Sequence, residues 1–140
     1  MRKFLMSLTM MAALAVGFTS TGYAASADLA DDSVPAGTTD VYELRCQGTD
    51  TLTATVTGAV PTDTFSAILV CTEGPDKGAF NSGDGNPAVV SVGSKCKRTT
   101  IAITCSSAPC PGPDCGSYTI NGDCGAKNVS EFSQVGDDLL

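Results

Sequence analysis

Thr51-Leu52-Thr53-Ala54-Thr55-Val56-Thr57 is the stretch that decides the fold class, because its side chains alternate without a break. Three apolar side chains fall on one face of an extended chain, and four threonines fall on the other. β-branched threonine opposite small apolar residues is typical of a strand that is buried on one face only. The sequence therefore predicts a half-buried β-strand here.

Six further segments carry strand patterns, at 41–46, 64–71, 88–92, 99–105, 117–120 and 129–135. Gly48-Thr49-Asp50 and Asn121-Gly122 predict tight turns, the second a two-residue hairpin. Beyond the N-terminal segment, no window of eleven residues has the 3.6-residue period of an amphipathic helix. The sequence thus predicts an all-β fold. We expect a small, disulfide-stabilised antiparallel β-sandwich of about seven strands with immunoglobulin-like topology, and a small barrel is the alternative.

The N-terminus has the order of a secretory signal peptide, predicted over residues 1–27. Two basic residues precede an apolar run at 4–18, and small and polar residues follow it. About 15 residues are fewer than the roughly 20 that a membrane span needs. Ala25-Ser26-Ala27 fits the small-x-small rule, so we expect cleavage after Ala27, with Ala24 as second choice. The predicted protein is secreted or periplasmic, without membrane insertion.

The rest of the chain divides by composition into three parts. Residues 28–39 are small and acidic with a Pro-Ala-Gly stretch, and they predict a flexible acidic leader. Residues 40–135 form the single β-sandwich domain, in which 73–87 reads as a long loop. Residues 136–140 form a short acidic tail. A flexible leader would be able to pair as an exchanged strand with another copy.

Composition excludes several classes of function. Loss of Arg2 and Lys3 with the signal leaves six basic residues against fifteen acidic ones, a net charge of −9. That charge argues against nucleic acid and anionic membranes as partners. The chain has no histidine, and all four methionines lie in the signal. Imidazole-based nucleophile systems and histidine-ligated metal centres are therefore excluded, and no cofactor is expected.

The cysteines predict a disulfide framework, because an exported chain folds in an oxidising compartment. Cys96 and Cys105 bracket about 30 Å of extended chain, too far for a bond to each other. The alternation of their strands points Cys46 and Cys105 toward the core, and Cys110 and Cys115 flank a proline-rich turn. We therefore expect the bonds Cys46–Cys105 and Cys110–Cys115. The framework comprises seven residues: Cys46, Cys71, Cys96, Cys105, Cys110, Cys115 and Cys124.

Two other uses of these cysteines remain as alternatives. The spacing of the last four (Cys105-x4-Cys110-x4-Cys115-x8-Cys124) matches zinc and iron–sulfur patterns poorly, and no C-x-x-C redox motif is present. Because seven is odd, one cysteine would be left to join two copies of the chain.

An oxygen-rich segment supplies weak candidates for a calcium site. It departs from the EF-hand spacing, so ordinary turns are the favoured interpretation. The calcium candidates are Asp76, Asn81, Asp84 and Asn86.

Asn128-Val129-Ser130 is an N-glycosylation sequon. It would be used only in a eukaryotic secretory pathway.

The function expected from the sequence is an exported, non-enzymatic structural or binding module of the surface, filament or adhesion type. Its partner would be a protein or a second copy of itself. The alternative is a small secreted inhibitor or effector that presents the loop Ser106–Gly116, since a proline-stiffened loop loses little entropy on binding. The third reading is a carboxylate- or metal-dependent enzyme, for which no catalytic residue is assigned.

Overall fold

The computed structural model of the chain describes residues 24–107 and 114–140, and these parts are all-β. Within the described residues seven strands form one antiparallel sheet. The all-β class, the antiparallel pairing and the number of strands agree with the prediction from sequence. None of the described residues belongs to a helix long and apolar enough to cross a membrane. The strands are β1 (Ser26–Asp31), β2 (Thr39–Gly58), β3 (Phe65–Glu73), β4 (Phe80–Gly85), β5 (Ala88–Cys105), β6 (Tyr118–Asp123) and β7 (Val129–Leu139).

Two long strands, β2 and β5, organise the sheet. Its strand order is β1-β6-β2-β5-β3-β4, and β7 also pairs with β2. The first part of β2 lies between β7 and the end of β5, and its second part lies between β6 and the start of β5. Register shifts between Arg45 and Leu52 mark an irregularity where β2 changes neighbours. We call β7-β2-β5-β3-β4 the first half of the sheet, and β1-β6-β2-β5 the second half.

The two halves face each other across one core. Phe65 on β3 and Tyr118 on β6 are three strand spacings apart along the sheet, about 14 Å. Their ring centroids are nevertheless 5.4 Å apart, so the sheet must fold over on itself. Because the halves share β2 and β5, they are not two separate sheets. The predicted sandwich and immunoglobulin-like topology are therefore not confirmed.

The alternating stretch at 51–57 is a strand, as predicted. It forms the second part of β2, with Leu52, Ala54 and Val56 fully buried. Burial of small and medium apolar side chains on this face supplies a large share of the folding free energy. Tyr42 and Leu44, two and four residues after Asp40, continue the same inward phase in the first part of β2.

Both ends of the described chain lie in strands, where the sequence predicted a flexible acidic leader over 28–39 and an acidic tail over 136–140. Ser26–Asp31 forms β1, which pairs residue by residue with β6. Val34 is fully buried and exchanges backbone hydrogen bonds with Cys115, each 3.2 Å long. At the other end, β7 continues to Leu139, where it pairs with Thr39. Backbone pairing at both ends outweighs the turn-forming and acidic composition that predicted flexibility.

Two segments that the sequence predicted to be turns lie inside strands. Asn121 and Gly122 lie within β6, where Gly122 pairs with both Ala27 and Ala54. A Cβ at Gly122 would lie 3.1 Å from Leu44 Cδ1, a tight contact, so the glycine serves the close packing between the halves rather than a turn. Residues 48–50 likewise lie inside β2, at its irregularity. The segment 73–87, predicted as one loop, contains β4.

Candidate functional site

The first half of the sheet presents an apolar surface to solvent. Phe80 is 74% exposed, and Ile68 and Val70 are also exposed. These side chains lie on the strand face opposite to Leu69 and Cys71, which are buried. Neighbouring strands contribute further apolar side chains on the same side. We define the outer apolar face by Val41, Ile68, Val70, Phe80 and Ala102.

Cross-strand register makes this face continuous. Val41, Ala102 and Ile68 lie side by side on β2, β5 and β3. In the adjacent row, Val70 lies directly opposite Phe80 on β4. Directly opposed residues have side chains on the same side of a sheet, about 5 Å apart. The apolar surface therefore spans four neighbouring strands rather than consisting of isolated exposed residues.

The outer surface of the second half of the sheet is polar. Thr53, Thr55 and Thr57 point outward from β2 and pair with Asp123, Asn121 and Thr119 on β6. Thr53 Oγ1 and Ser91 Oγ are 2.7 Å apart, within hydrogen-bonding distance. Val89, 54% exposed, lies beside Thr55 on this surface. We call it the threonine face, and it is the natural internal comparison for the outer apolar face.

Charges at one end of the outer apolar face are paired. The Arg98 guanidinium lies 3.4 Å from the Glu43 carboxylate and 3.3 Å from that of Glu73. Partly exposed pairs of this kind contribute little to stability. Because one guanidinium serves two carboxylates, the group leaves a single negative charge at this margin.

Three disulfides join the six cysteines that the structure describes. Cys46 is bonded to Cys124, Cys71 to Cys96, and Cys105 to Cys115. The bonds fit an oxidising environment. They also exclude a thiolate metal site at 105–124, since three of its four cysteines are bonded. Cys110 lies outside the described residues.

Both expected pairs, Cys46–Cys105 and Cys110–Cys115, are wrong. Thr39 pairs with Thr104, so Cys105 lies at the start of β2, whereas Cys46 lies seven residues further along. At about 3.3 Å per residue this is roughly 23 Å, far beyond disulfide reach. Cys115 instead bonds to Cys105, ten residues earlier in the chain. The exclusion of a Cys96–Cys105 bond is confirmed.

The four calcium candidates use their oxygens separately. Asp76 accepts hydrogen bonds from the backbone N–H groups of Ser94 and Lys95, at 2.7 and 2.8 Å. These bonds hold the pKa of the Asp76 carboxyl below its usual range. Asn86 Oδ1 accepts from the Gly58 N–H at 2.9 Å.

The remaining two candidates lie on β4, in edge positions. Asn81 donates to the Ser91 carbonyl at 3.1 Å, and its Oδ1 accepts from the Ser82 N–H. Asp84 pairs with Ser66. The structure therefore does not bring Asp76, Asn81, Asp84 and Asn86 together around one point.

A buried network that the sequence reasoning missed links β1, β2, β6 and β7. The Tyr118 hydroxyl donates to Asp40 Oδ2 at 2.5 Å, and Asp40 Oδ1 accepts from the Asp138 N–H at 2.8 Å. The Tyr42 and Tyr118 hydroxyl oxygens are 2.7 Å apart. Asp31 Oδ2 lies 3.4 Å from the Tyr42 hydroxyl. The sequence did contain an indication of this network. Asp40 lies two residues before Tyr42 in β2, so both side chains point to the same, inward face.

Burial changes the proton affinity of this network. Desolvation of the fully buried Asp40 raises the pKa of its carboxyl to about 6, against the lowering effect of its hydrogen bond from Tyr118. Desolvation also raises the pKa of the Tyr42 and Tyr118 hydroxyls, so both remain protonated at neutral pH.

Three carboxylates converge at the end of this network. Among the described residues, Asp31, Asp40 and Asp137 each offer an oxygen within 4.8 Å of the others. Asp40 is fully buried, and both of its oxygens already accept hydrogen bonds. The Asp40 oxygens are therefore already occupied by protein donors rather than directed at a cation.

Comparison with known proteins identifies the fold but not a family. No family model matches the chain, and no curated protein sequence matches it significantly. The crystal structure of a mitogen derived from Yersinia pseudotuberculosis is similar, with a TM-score of 0.50 and 10% identity, covering 74% of this chain and 92% of that one. At such identity the likeness concerns the fold alone.

A second similar structure is a dTDP sugar isomerase from Desulfovibrio desulfuricans G20. Its TM-score is 0.43 at 8% identity, with 84% of this chain and 68% of the other covered. This likeness is too distant to support an inference. The class that fold and disulfides define is an all-β, antiparallel, disulfide-bonded protein.

Proposed function

We propose that this protein is an exported, non-enzymatic binding module that contacts its partner through the outer apolar face. The observation that carries the proposal is the contrast between the two outer surfaces of one sheet. One carries an apolar row at 41, 102 and 68 with the exposed pair Val70 and Phe80 beside it, and the other is lined by threonine. Contiguous exposed apolar surface on a small domain marks interaction sites.

The export part of the proposal rests on the signal-like N-terminus and the disulfides. Three bonds within a chain of 140 residues are typical of secreted or periplasmic proteins. They also suit a domain of this size, whose core alone gives limited stability. A rigid scaffold of this kind presents a surface without a large entropic cost on binding.

The buried network supports a structural role better than a catalytic one. Asp40 is enclosed by its partners, and a substrate would have no path to its oxygens without displacing Tyr118 or the Asp138 backbone. A catalytic carboxyl must lie within hydrogen-bond reach of a bound substrate. Blank results from a hydrolase panel would support this assignment, and turnover abolished by Asp40→Asn would overturn it.

A site-specific photocrosslinking experiment tests the proposed surface. A photoreactive phenylalanine analogue is placed at Phe80 or, as the matched control, at Val89 on the threonine face, and the producing culture is irradiated. We expect crosslinked adducts from position 80 and few from position 89. Both sites are more than half exposed, so exposure alone would label both. Equal yields, or no adduct at position 80, would refute the proposed surface.

A second candidate function has its own supporting observation. The Cys105–Cys115 disulfide joins the ends of the segment 106–114, as expected of a secreted inhibitor or effector that presents a constrained loop. Cys115 is further fixed by its backbone hydrogen bonds to Val34. Substitution of Asp114 and Ser107 at the loop base, with unchanged stability but lost partner binding, would favour this function over the first.

A further inference from the structure

The C-terminal end of β7 is loosely held in the sheet. Residues 137–140 are all exposed, so no buried apolar side chain anchors this end. Its pairing with β2 is irregular, with register shifts on either side of the pair formed by Val41 and Gly136. Asp138 also has a φ of 49°, a left-handed conformation that is uncommon outside glycine. Segments with these properties open locally at a low cost in free energy.

One buried carboxyl fastens this end to the rest of the fold. Asp40 Oδ1 accepts a hydrogen bond from the Asp138 N–H at 2.8 Å, and Asp40 Oδ2 accepts one from the Tyr118 hydroxyl. Asp40 is fully buried, and the Asp138 backbone is part of what covers it. Movement of residues 136–140 away from β2 would therefore break this bond and admit water to the Asp40 carboxyl.

Negative charge surrounds Asp40 without a compensating base. Asp31 on β1 and Asp137 on β7 each offer a carboxylate oxygen within 4.8 Å of an Asp40 oxygen. Both ion pairs in the described ranges, 24–107 and 114–140, belong to Arg98, so neither involves this cluster. A charge on Asp40 is therefore opposed both by burial and by its neighbours. The other groups around the cluster are the hydroxyls of Tyr42 and Tyr118, the Gln134 amide, Asp138, and the uncharged Ile103 on β5.

We propose that residues 136–140 form a pH-controlled latch, which is closed on β2 when Asp40 is protonated and opens far more often when Asp40 is charged. Opening exposes the Asp40 carboxyl to water and takes Asp137 away from it. The charged form therefore gains more from opening than the neutral form does. Opening also uncovers the backbone groups of β2 at 39–41, which then form a free sheet edge. The latch covers this edge in acid and makes it available at neutral pH.

The direction and the size of the effect follow from the closed and open states of Asp40. Burial, with a contribution from Asp31, raises the pKa of the Asp40 carboxyl to about 6 in the closed form, against the lowering effect of its hydrogen bonds. In the open form the pKa returns to its ordinary value of 3.8. Because the closed form holds the proton more tightly, opening increases as the pH rises from 3.8 to about 6. The opening constant should rise about 25-fold between pH 4.5 and 7.5.

Amide hydrogen exchange, measured by NMR on the exported protein, tests the latch. After correction for intrinsic exchange, protection of the Asp138 N–H should fall about 25-fold between pH 4.5 and 7.5. In Asp40→Asn, which keeps an acceptor for this N–H, the change should be less than about threefold. The matched control is Asp63→Asn, because Asp63 is also buried and accepts from a backbone N–H, that of Gly116, but lies outside the cluster. This control should show the same fall as the wild type.

Urea and a second variant make the outcome decisive. Urea below about 1 M lowers the protection of amides that exchange through global unfolding, but not that of amides exposed by a small local opening. The Asp138 N–H should therefore not respond to it. Asp31→Asn removes one neighbouring charge and should reduce the pH-dependent change by at least about twofold, which serves as the test if Asp40→Asn does not fold. Protection that is independent of pH in the wild type, a fall unchanged in either variant, or a urea response equal to that of β2 and β5 would each overturn the inference.

Discussion

Replacement of Asp40 by asparagine should remove most of the pH dependence of stability between pH 4.5 and 7. In the folded protein, burial raises the pKa of the Asp40 carboxyl to about 6 from an ordinary value of 3.8. The folded state therefore binds the proton more tightly than the unfolded chain. Stability from this proton is fully present below pH 3.8 and is lost as pH rises through about 6.

The size of the effect follows from the two pKa values. A difference of this size corresponds to at most about 3 kcal/mol in the free energy of unfolding, since each pKa unit is worth about 1.4 kcal/mol. About 2 kcal/mol of that should be lost between pH 4.5 and 7. Below about pH 4 the trend should reverse, because hydrogen bonds from backbone amides lower the pKa of Asp50 and Asp76, and their protonation destabilises the fold.

The asparagine variant is a suitable test because it retains the network. Its Oδ1 would accept from the Asp138 N–H, and its Nδ2 would donate to the Tyr118 hydroxyl. That hydroxyl would then donate to Tyr42, 2.7 Å away, instead of to residue 40. We therefore expect a folded variant at least as stable as the wild type at pH 7, without the buried charge.

The assay is urea unfolding of both proteins at pH 4.5, 5.5, 6.5 and 7.5. The wild type should lose about 2 kcal/mol across this series, and Asp40→Asn should lose less than about 0.5 kcal/mol. A flat wild-type profile would refute the raised pKa. An equal slope in both proteins would show that another group carries the dependence.

Three other predictions concern the core, the disulfides and the N-terminus. Thr99→Val should raise the free energy of unfolding by about 1–2 kcal/mol, because the buried Thr99 hydroxyl has no hydrogen-bond partner; a lower urea midpoint would contradict this. Joint replacement of Cys46 and Cys124 by alanine should cost about 4 kcal/mol, as expected for a bond that spans 78 residues. A cost below about 1 kcal/mol in denaturant unfolding would contradict that estimate. Intact mass should show a mature chain that begins after Ala24, since cleavage after Ala27 would remove the first two residues of β1; a chain that begins at residue 28 would count against β1.

Local side-chain alternation predicted the inward and outward faces well. The inward phase of Leu52, Ala54 and Val56 and the outward phase of their threonines are both as the sequence indicated. The number of strands also agrees, although two predicted pairs of strands are the single long strands β2 and β5. Glycine and aspartate occur both in turns and at irregularities within a strand. The composition of 48–50 therefore does not distinguish a turn from a bulge.

Long-range pairing explains what the sequence did not reveal. β1 is a strand because β6 lies beside it, about ninety residues later in the chain. The same holds for the disulfides, because phase alone made Cys46 and Cys105 equivalent, while the register of β2 and β5 places them far apart. The outer apolar face depends on the side-by-side placement of β3, β4 and β5. Only the register of these strands brings Ile68, Val70 and Phe80 together on one surface.

Hydroxyl-radical footprinting tests the central claim, that the outer apolar face is covered by a partner. The exported protein is oxidised in its culture fluid and again after purification and dilution to about 0.1 µM, and peptides are read by mass spectrometry. We expect oxidation of Phe80 to be several-fold lower in the culture fluid, with Val89 equally oxidised in both samples. Equal oxidation of Phe80 in the two samples would contradict the claim, because a side chain 74% exposed in the free chain would then stay exposed where the protein acts.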